Sequence, residues 1–585
     1  MNRNRFTYGL ILYLAVTILL LFFIFLNQRT YDGWILDGIA VPVAVYILIS
    51  ITALTFINNN KKLVVIAGIF IATISMIPGA KHTFFYDVFD GPGHYRFASQ
   101  IASLGYIPQG EFYSVTYGNN CGMHIFTASF SLASGISVND FLRFLIPLLF
   151  GLMPFIIYLV GHKILDNRIM KYAIIASSFP VIQGYDVWGT ILAFIPYLLL
   201  IAVLLRFTLS KTYDRTLFLV LVVSSFTLID SHAVTPFFVS LLFLGVFLIS
   251  AIFAARRKSQ EILSTRKCRI AGLSYILLFL TWWLTVDTVN LDFFIGLSAS
   301  LFNREIPAIP PRFFQLSLIP RLQILLVQNA ANTVIFALSL IGLIVLINRI
   351  RKKQLSSEAK AFYLLILTLV GVVAVFVVAQ VVIGFGVFSY QRFLYYGIPW
   401  CFFLIGLLLS SIDQRVRNLG SKPILAFFTF FIASMMFFCL IQFFPPQSLV
   451  PRSSAISQSL PGDPYILDIS LVNTIYQKQM ISFANSYSRK GIIIADSVTR
   501  CQCYGFSSPP FFSRIEYPSP LVSGLSQNLE WSLFLLHSTK AGPFEEKPEN
   551  RTDPIIQSLL LNSGNLVYNN GESYILYNTN QNSIP

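Results

Sequence analysis

Between positions 87 and 124 the sequence gathers Asp87, Asp90, His94, Arg96, Glu111 and His124 in one stretch that follows an apolar run directly. A carboxylate there could take a proton from an acceptor hydroxyl or bind a cation. Ionisable groups at a membrane surface are costly unless they are hydrated, paired or used. Asp90 and His94 are four residues apart. With a helix running from Gly93, Asp90 would stand near its N-terminus and His94 on its first turn, both facing one pocket. The alternative is a solvated loop whose aspartate only caps a helix at the membrane surface.

Other positions could join them. Asp186 lies in GYDVWG, and Asp230 and His232 lie in LIDSHAVTP. Taken singly, each could simply cap the helix that follows. Arg392 lies in FSYQRFLYY, two residues after Tyr390. A guanidinium holds phosphate well, although a snorkelling arginine would occupy the same place. Arg312, with Arg304 and Arg321, lies in the Pro-rich stretch NREIPAIPPRFFQLSLIPRLQ and offers further phosphate contacts. The chain has no P-loop, dinucleotide fingerprint, H-E-x-x-H or G-x-S-x-G. Its six cysteines have no metal-type spacing, and Cys501 and Cys503 are too close in sequence for good disulfide geometry with each other.

The elements that must position these residues are read from hydropathy. Of 585 residues, 55% are hydrophobic and 11% charged. Soluble domains carry about 25% charged residues, so most of this chain is excluded from water. The apolar runs predict about thirteen transmembrane helices, near 8–27, 34–57, 62–79, 139–162, 169–183, 190–208, 215–231, 234–254, 270–286, 327–348, 360–385, 391–410 and 423–443. The first has no small-residue cleavage site after it and reads as an uncleaved span.

Arg3 and Arg5 place the N-terminus in the cytoplasm. Every second loop is then basic, including NNNKK, RRKSQEILSTRKCR and NRIRKKQ. The opposite loops hold most of the loop Asp and Gly, and two of them are long, at 80–138 and 287–326. Membrane topology therefore accounts for most of the net charge of +15, and no nucleic-acid partner is implied.

The expected fold is a polytopic α-helical membrane domain over 1–443 and a small extracytoplasmic α/β domain over 444–585, in a multi-pass protein of the cell membrane. In the tail, GIIIADS reads as a buried strand. NLVYNNGESYILYN reads as a hairpin around Asn-Asn-Gly.

These residues resemble the GT-C membrane glycosyltransferases, which take sugars from polyprenyl-phosphate carriers on the outer membrane face. DGPGHYR, from Asp90 to Arg96, is similar to the acidic motif of their first outer loop. YGNNCGMHIFTASFSLASG resembles the Y-P-x-G-x-H segment of prokaryotic members, SHAVTPFF their outer S/T-H loop, and SYQRFLYYGIP their late R-F segment. The hairpin resembles the end of archaeal-type members.

The resemblance implies an inverting transfer with Asp90 as general base and Asp87 as second choice. Arg392 would hold the leaving phosphate, with His94, His124, His232, Asp186, Tyr390 and Arg312 around the substrate. The donor would be a dolichyl- or undecaprenyl-phosphate sugar, the acceptor a glycan, lipid or protein, and membrane lipids the surroundings. Family members work either without a metal or with a divalent cation, Mg or Mn; here Asp90, His94 and His232 would be its ligands.

Two departures stand out. The W-W-D-Y-G acceptor motif of oligosaccharyltransferases is missing from the tail. The Pro-Pro common before the second loop histidine is replaced by Asn119-Asn120. If the family's core begins with the span before the acidic loop, the first two spans are an N-terminal addition to it. The competing readings are a transporter or flippase of lipid-linked sugars and a non-catalytic envelope assembly subunit.

Overall fold

The computed structural model describes residues 3–26, 40–81, 91–108, 118–179, 193–210, 214–232, 235–255, 265–288, 291, 330–378 and 390–418, together with five strands between 492 and 578. Fourteen helical runs make up the described bundle: α1 (Arg3–Leu26), α2 (Ala40–Phe56), α3 (Asn60–Lys81), α4 (Gly91–Leu104), α5 (Gly122–Ser134), α6 (Val138–Gly161), α7 (Asn167–Ser177), α8 (Phe194–Leu209), α9 (Arg215–Ser231), α10 (Thr235–Ala255), α11 (Thr265–Thr285), α12 (Ala330–Arg351), α13 (Ser357–Val378) and α14 (Tyr390–Asn418).

Among the described residues eight helices are long and apolar enough to cross a membrane: α1, α3, α6, α10, α11, α12, α13 and α14. The apolar parts of α2 and α8 are shorter. The protein is therefore a multi-pass membrane protein, as its hydropathy predicts. The run expected at 423–443 lies outside the described residues. Charge placement supports the membrane reading. Every Asp, Glu, Lys and Arg in α1–α3 and α6–α14 falls no more than five residues from a helix end. Ionised side chains avoid the hydrocarbon core because burial there costs several kcal/mol.

α14 is the central element. It packs on α7, α12 and α13, and Ile398, Trp400, Cys401, Phe402, Phe403 and Ile405 along it are all buried. Gly406 makes one of these contacts possible, since a Cβ there would meet the backbone of Ile169 and Ala173 on α7. Small residues at such crossings are how membrane helices gain close packing without a hydrophobic drive.

α1 and α2 join this bundle through α3. Tyr13 and Ser50 share a hydrogen bond of 2.7 Å, Thr17 donates to the Tyr46 hydroxyl, and Tyr46 donates to Thr73 at 3.1 Å. In apolar surroundings such hydroxyls are stable only when paired.

The bundle has two chemically different ends. At one, Lys171 donates to Thr55 O, Arg206 to Leu159 O, Lys267 to Ser210 Oγ and Arg349 to Ser411 Oγ. Lys171 and Arg206 thereby satisfy carbonyls left open where helices terminate. The other end carries His94, His124 and His232.

In the tail, a five-stranded sheet has the order β2-β1-β3-β5-β4, with β1 (Ile492–Ala495), β2 (Ile515–Glu516), β3 (Trp531–His537), β4 (Gly564–Asn569) and β5 (Ser573–Asn578). β1 lies parallel to β2 and β3, whereas β5 is antiparallel to β3 and β4. The strand expected in GIIIADS is β1, and the hairpin expected around Asn-Asn-Gly is β4–β5. Any helix of this region lies outside the described residues.

Candidate active site

α4 is amphipathic. His94, Phe97, Ala98 and Ile101 recur at helical spacing and are all buried. They face α5, and Phe97, Ile101, Cys121 and Ala128 form a small cluster of their own between the two helices. Within this hairpin His94 Nδ1 and His124 Nε2 lie 2.7 Å apart, with the rings stacked at 5.0 Å and 23°. Phe97 meets the His124 ring edge-on at 4.9 Å. Burial first, and His94 second, hold the His124 imidazole well below its ordinary pKa, so this ring is neutral.

α4 starts at Gly91, two residues earlier than the expected Gly93, and it does place His94 on the first turn. Asp90 precedes it by one position in sequence. Asp90 and Asp87 themselves lie outside the described residues, as do Asp186 and Arg312.

Three alternate residues at the head of α5 reach three different elements. Asn120 Nδ2 donates to Asp287 Oδ2 at 2.6 Å, and its Oδ1 accepts from Trp282 Nε1 at 3.2 Å, both at the end of α11. Gly122 lies against the Asp230 carboxylate at the end of α9, so closely that a Cβ would collide with it. His124 reaches α4. Between them sits Cys121, whose thiol is pushed up to about 11 by burial and then by the neighbouring Asp230 carboxylate.

His232 follows α9 directly. Its Nδ1 accepts the backbone N–H of Thr235 at 3.0 Å, which caps the start of α10. An accepting Nδ1 leaves the ring proton on Nε2, so His232 presents an N–H donor there. Thr235 Oγ1 lies 2.8 Å from His232 Nδ1 and 2.8 Å from the Tyr396 hydroxyl. Tyr197 then donates to Tyr396 O at 2.5 Å and accepts from Trp400 Nε1 at 2.7 Å. This chain of bonds ties His232 to α14. The first turn of α14 carries Tyr390 and Arg392, with Arg392 one turn before Tyr396.

Of the residues singled out by sequence, the described fold therefore brings together His94, His124 and His232, with Asp230 among them, and sets the Arg392 backbone beside the same end. It adds Asn120, Asp287, Trp282, Thr235 and Tyr396.

A divalent cation would need lone pairs here. His94 Nδ1 and His124 Nε2 are committed to each other, and His232 Nδ1 to Thr235. No set of three or more His, Cys, Asp or Glu with metal-binding geometry occurs among the described residues. Of the expected set, His94 would have to ligate through Nε2, with Asp90 as the carboxylate partner.

No protein-family model and no curated protein matches the chain. Among solved structures it is similar to the archaeal oligosaccharyltransferase AglB from Archaeoglobus fulgidus in complex with an inhibitory peptide and a dolichol-phosphate. The TM-score is 0.45 at 10% identity, covering 80% of this chain and 69% of that one. It is also similar to the apo form of the Archaeoglobus fulgidus oligosaccharyltransferase, with TM-score 0.44 and 12% identity, covering 82% of this chain and 69% of that one. Both are likenesses of fold.

Proposed function

We propose that this protein is a membrane glycosyltransferase that moves a sugar from a polyprenyl-phosphate carrier to an acceptor on the extracytoplasmic face. The observation that carries the reading is the convergence of residues 94, 120–124, 230–232, 235 and 287 with the first turns of α14 at the end of the bundle opposite the basic end. By the positive-inside rule the basic end is cytoplasmic. The histidine end then faces outward, and the tail sheet belongs to a small extracytoplasmic α/β domain.

In this reading Asp90, directly before α4, takes the proton from the acceptor hydroxyl. The acceptor oxygen bonds to the anomeric carbon as the bond from that carbon to the phosphate oxygen breaks. One displacement inverts the centre. Charge grows on the departing phosphate, and Arg392 and the Nε2–H of His232 would donate to it. Tyr390 and Arg312 would line the donor path, and Asp186 the substrate side. A cation held by Asp90 and His94 would supply further charge for the same phosphate.

A flippase would need charged groups along the path through the membrane. Among the described residues the helix charges stay at the two ends, which favours chemistry at one face.

The experiment is transfer from a radiolabelled polyprenyl-phosphate sugar by the purified protein in nanodiscs. Acceptor-dependent release of polyprenyl phosphate is expected. Absence of release with every monosaccharide donor, together with transbilayer movement of a labelled lipid-linked sugar, would replace this reading with the transporter.

A further inference from the structure

We infer that Asn120 and Asp287 form a positioning clamp that holds the head of α5, and with it His124, in register for the transfer reaction. The inference rests on the glycosyltransferase reading for its kinetic arm and on geometry alone for its structural arm.

Both side chains are 1% exposed. Asp287 lies two residues past the end of α11, where its N–H and that of Val286 both reach Trp282 O, at 3.0 and 2.8 Å. Trp282 and Asp287 thus present one donor and one acceptor from the same helix end. An indole N–H only donates, and a carboxylate only accepts. The side chain that meets both must offer a carbonyl to one and an amino group to the other. Asn120 does this, and its amide orientation is fixed by the pair. The contact to Asp287 is short, at 2.6 Å.

The clamp also explains a departure in the sequence. Where the resembling family commonly has Pro-Pro before its second loop histidine, this chain has Asn119-Asn120. Proline would stiffen that turn through its backbone. Here the stiffness comes from a side chain anchored on α11. Two residues on, Gly122 is pressed against Asp230, and two further on, His124 meets His94. Loosening the first of these three anchors would let α5 slide past the other two. Displacements near 1 Å at such a site cost about a hundredfold in rate.

The test uses the full chain in nanodiscs and two measurements. One is turnover of a labelled polyprenyl-phosphate sugar. The other is the rate at which a methanethiosulfonate modifies Cys121, followed by peptide-resolved mass spectrometry. Asn120→Ala and Asp287→Ala are expected to lower kcat at least about tenfold and to speed Cys121 modification by a similar factor. The double variant should be no worse than Asn120→Ala alone, because that variant already removes the bond between them. Asp287→Asn keeps an acceptor for Asn120 and should stay near wild type in both measurements.

The swapped pair, Asn120→Asp with Asp287→Asn, restores an amide donor facing a carboxylate acceptor, with the roles exchanged, and leaves Trp282 an oxygen. It should recover most of what Asn120→Asp alone loses. Additive losses, a swap that rescues nothing, or Cys121 rates unchanged by either alanine would overturn the clamp. If wild type transfers no sugar at all, the glycosyltransferase reading fails while the Cys121 rates still decide the clamp.

Discussion

His94 Nδ1 and His124 Nε2 stand 2.7 Å apart although 30 residues separate them in sequence. One ring must donate and the other accept, so two protonated rings are excluded from this geometry. His124 has its folded pKa depressed by burial and by His94, while the unfolded value is near 6.5. Between those two values the unfolded chain binds more protons than the folded one. Stability contributed by this group is therefore complete above about 6.5 and is lost as pH falls below it. Thermal unfolding in nanodiscs should show a midpoint that drops from pH 7 to pH 5, and His124→Asn should flatten that acid limb. Equal midpoints at the two pH values in wild type would count against a neutral buried ring.

Asp90 and Asp87 are the carboxylates closest in sequence to the His94 helix. A general base contributes about a hundred- to ten-thousandfold, and an amide accepts no proton. Asp90→Asn should lower kcat by at least about a hundredfold with the KM for the lipid-linked donor little changed. Asp87→Asn should cost less. Full activity in both variants would remove the acidic base from the mechanism.

Much of the scaffold is legible in the sequence because hydrocarbon imposes a simple rule: long apolar runs with charges only at their ends. The hairpin at β4–β5 is legible for a similar reason, since Asn-Asn-Gly between alternating strands is a local signal. The site is less so. His94 and His124 can each be marked as candidates, but their pairing depends on α4 and α5 folding back on each other. Asp287 and Asn120 were invisible as a pair, separated by 167 positions. Asp287 gave no signal of its own, since an aspartate just past the Trp282–Trp283 end of a span is ordinary in an outer loop. Thr235 reads as an ordinary helix residue, because Ser and Thr hydroxyls in spans usually bond their own backbone, and Tyr396 reads as one more apolar ring of its span.

Gly122 tests how tightly α5 and α9 must approach. A methyl group there would run into the Asp230 carboxylate and its backbone carbonyl. Overpacking of this kind costs about 1–3 kcal/mol. Gly122→Ala should lower thermal stability accordingly, and Gly122→Ala with Asp230→Ala should recover much of it, since the collision is chiefly with that side chain. If Gly122→Ala alone is neutral in a thermal melt, the close approach of the two helices is wrong.

The tie between His232 and α14 makes a separable prediction about the donor phosphate. Tyr396→Phe removes the hydroxyl that meets Thr235 but leaves the ring packed against Phe238 and Tyr197. Loss of one such buried bond is worth about 1 kcal/mol, so the fold should persist. What loosens is the registration of the first turn of α14, which carries Arg392, against the His232 loop. The KM for a polyprenyl-phosphate sugar should rise several-fold in Tyr396→Phe and in Thr235→Val, and the two changes together should do no more than one. Arg392→Lys keeps the charge but loses the planar fork that grips two phosphate oxygens. It should lower kcat/KM at least about tenfold, and Tyr396→Phe should add little on that background. Independent, multiplying losses would instead mean that the Thr235–Tyr396 bond serves packing and has no part in holding the phosphate.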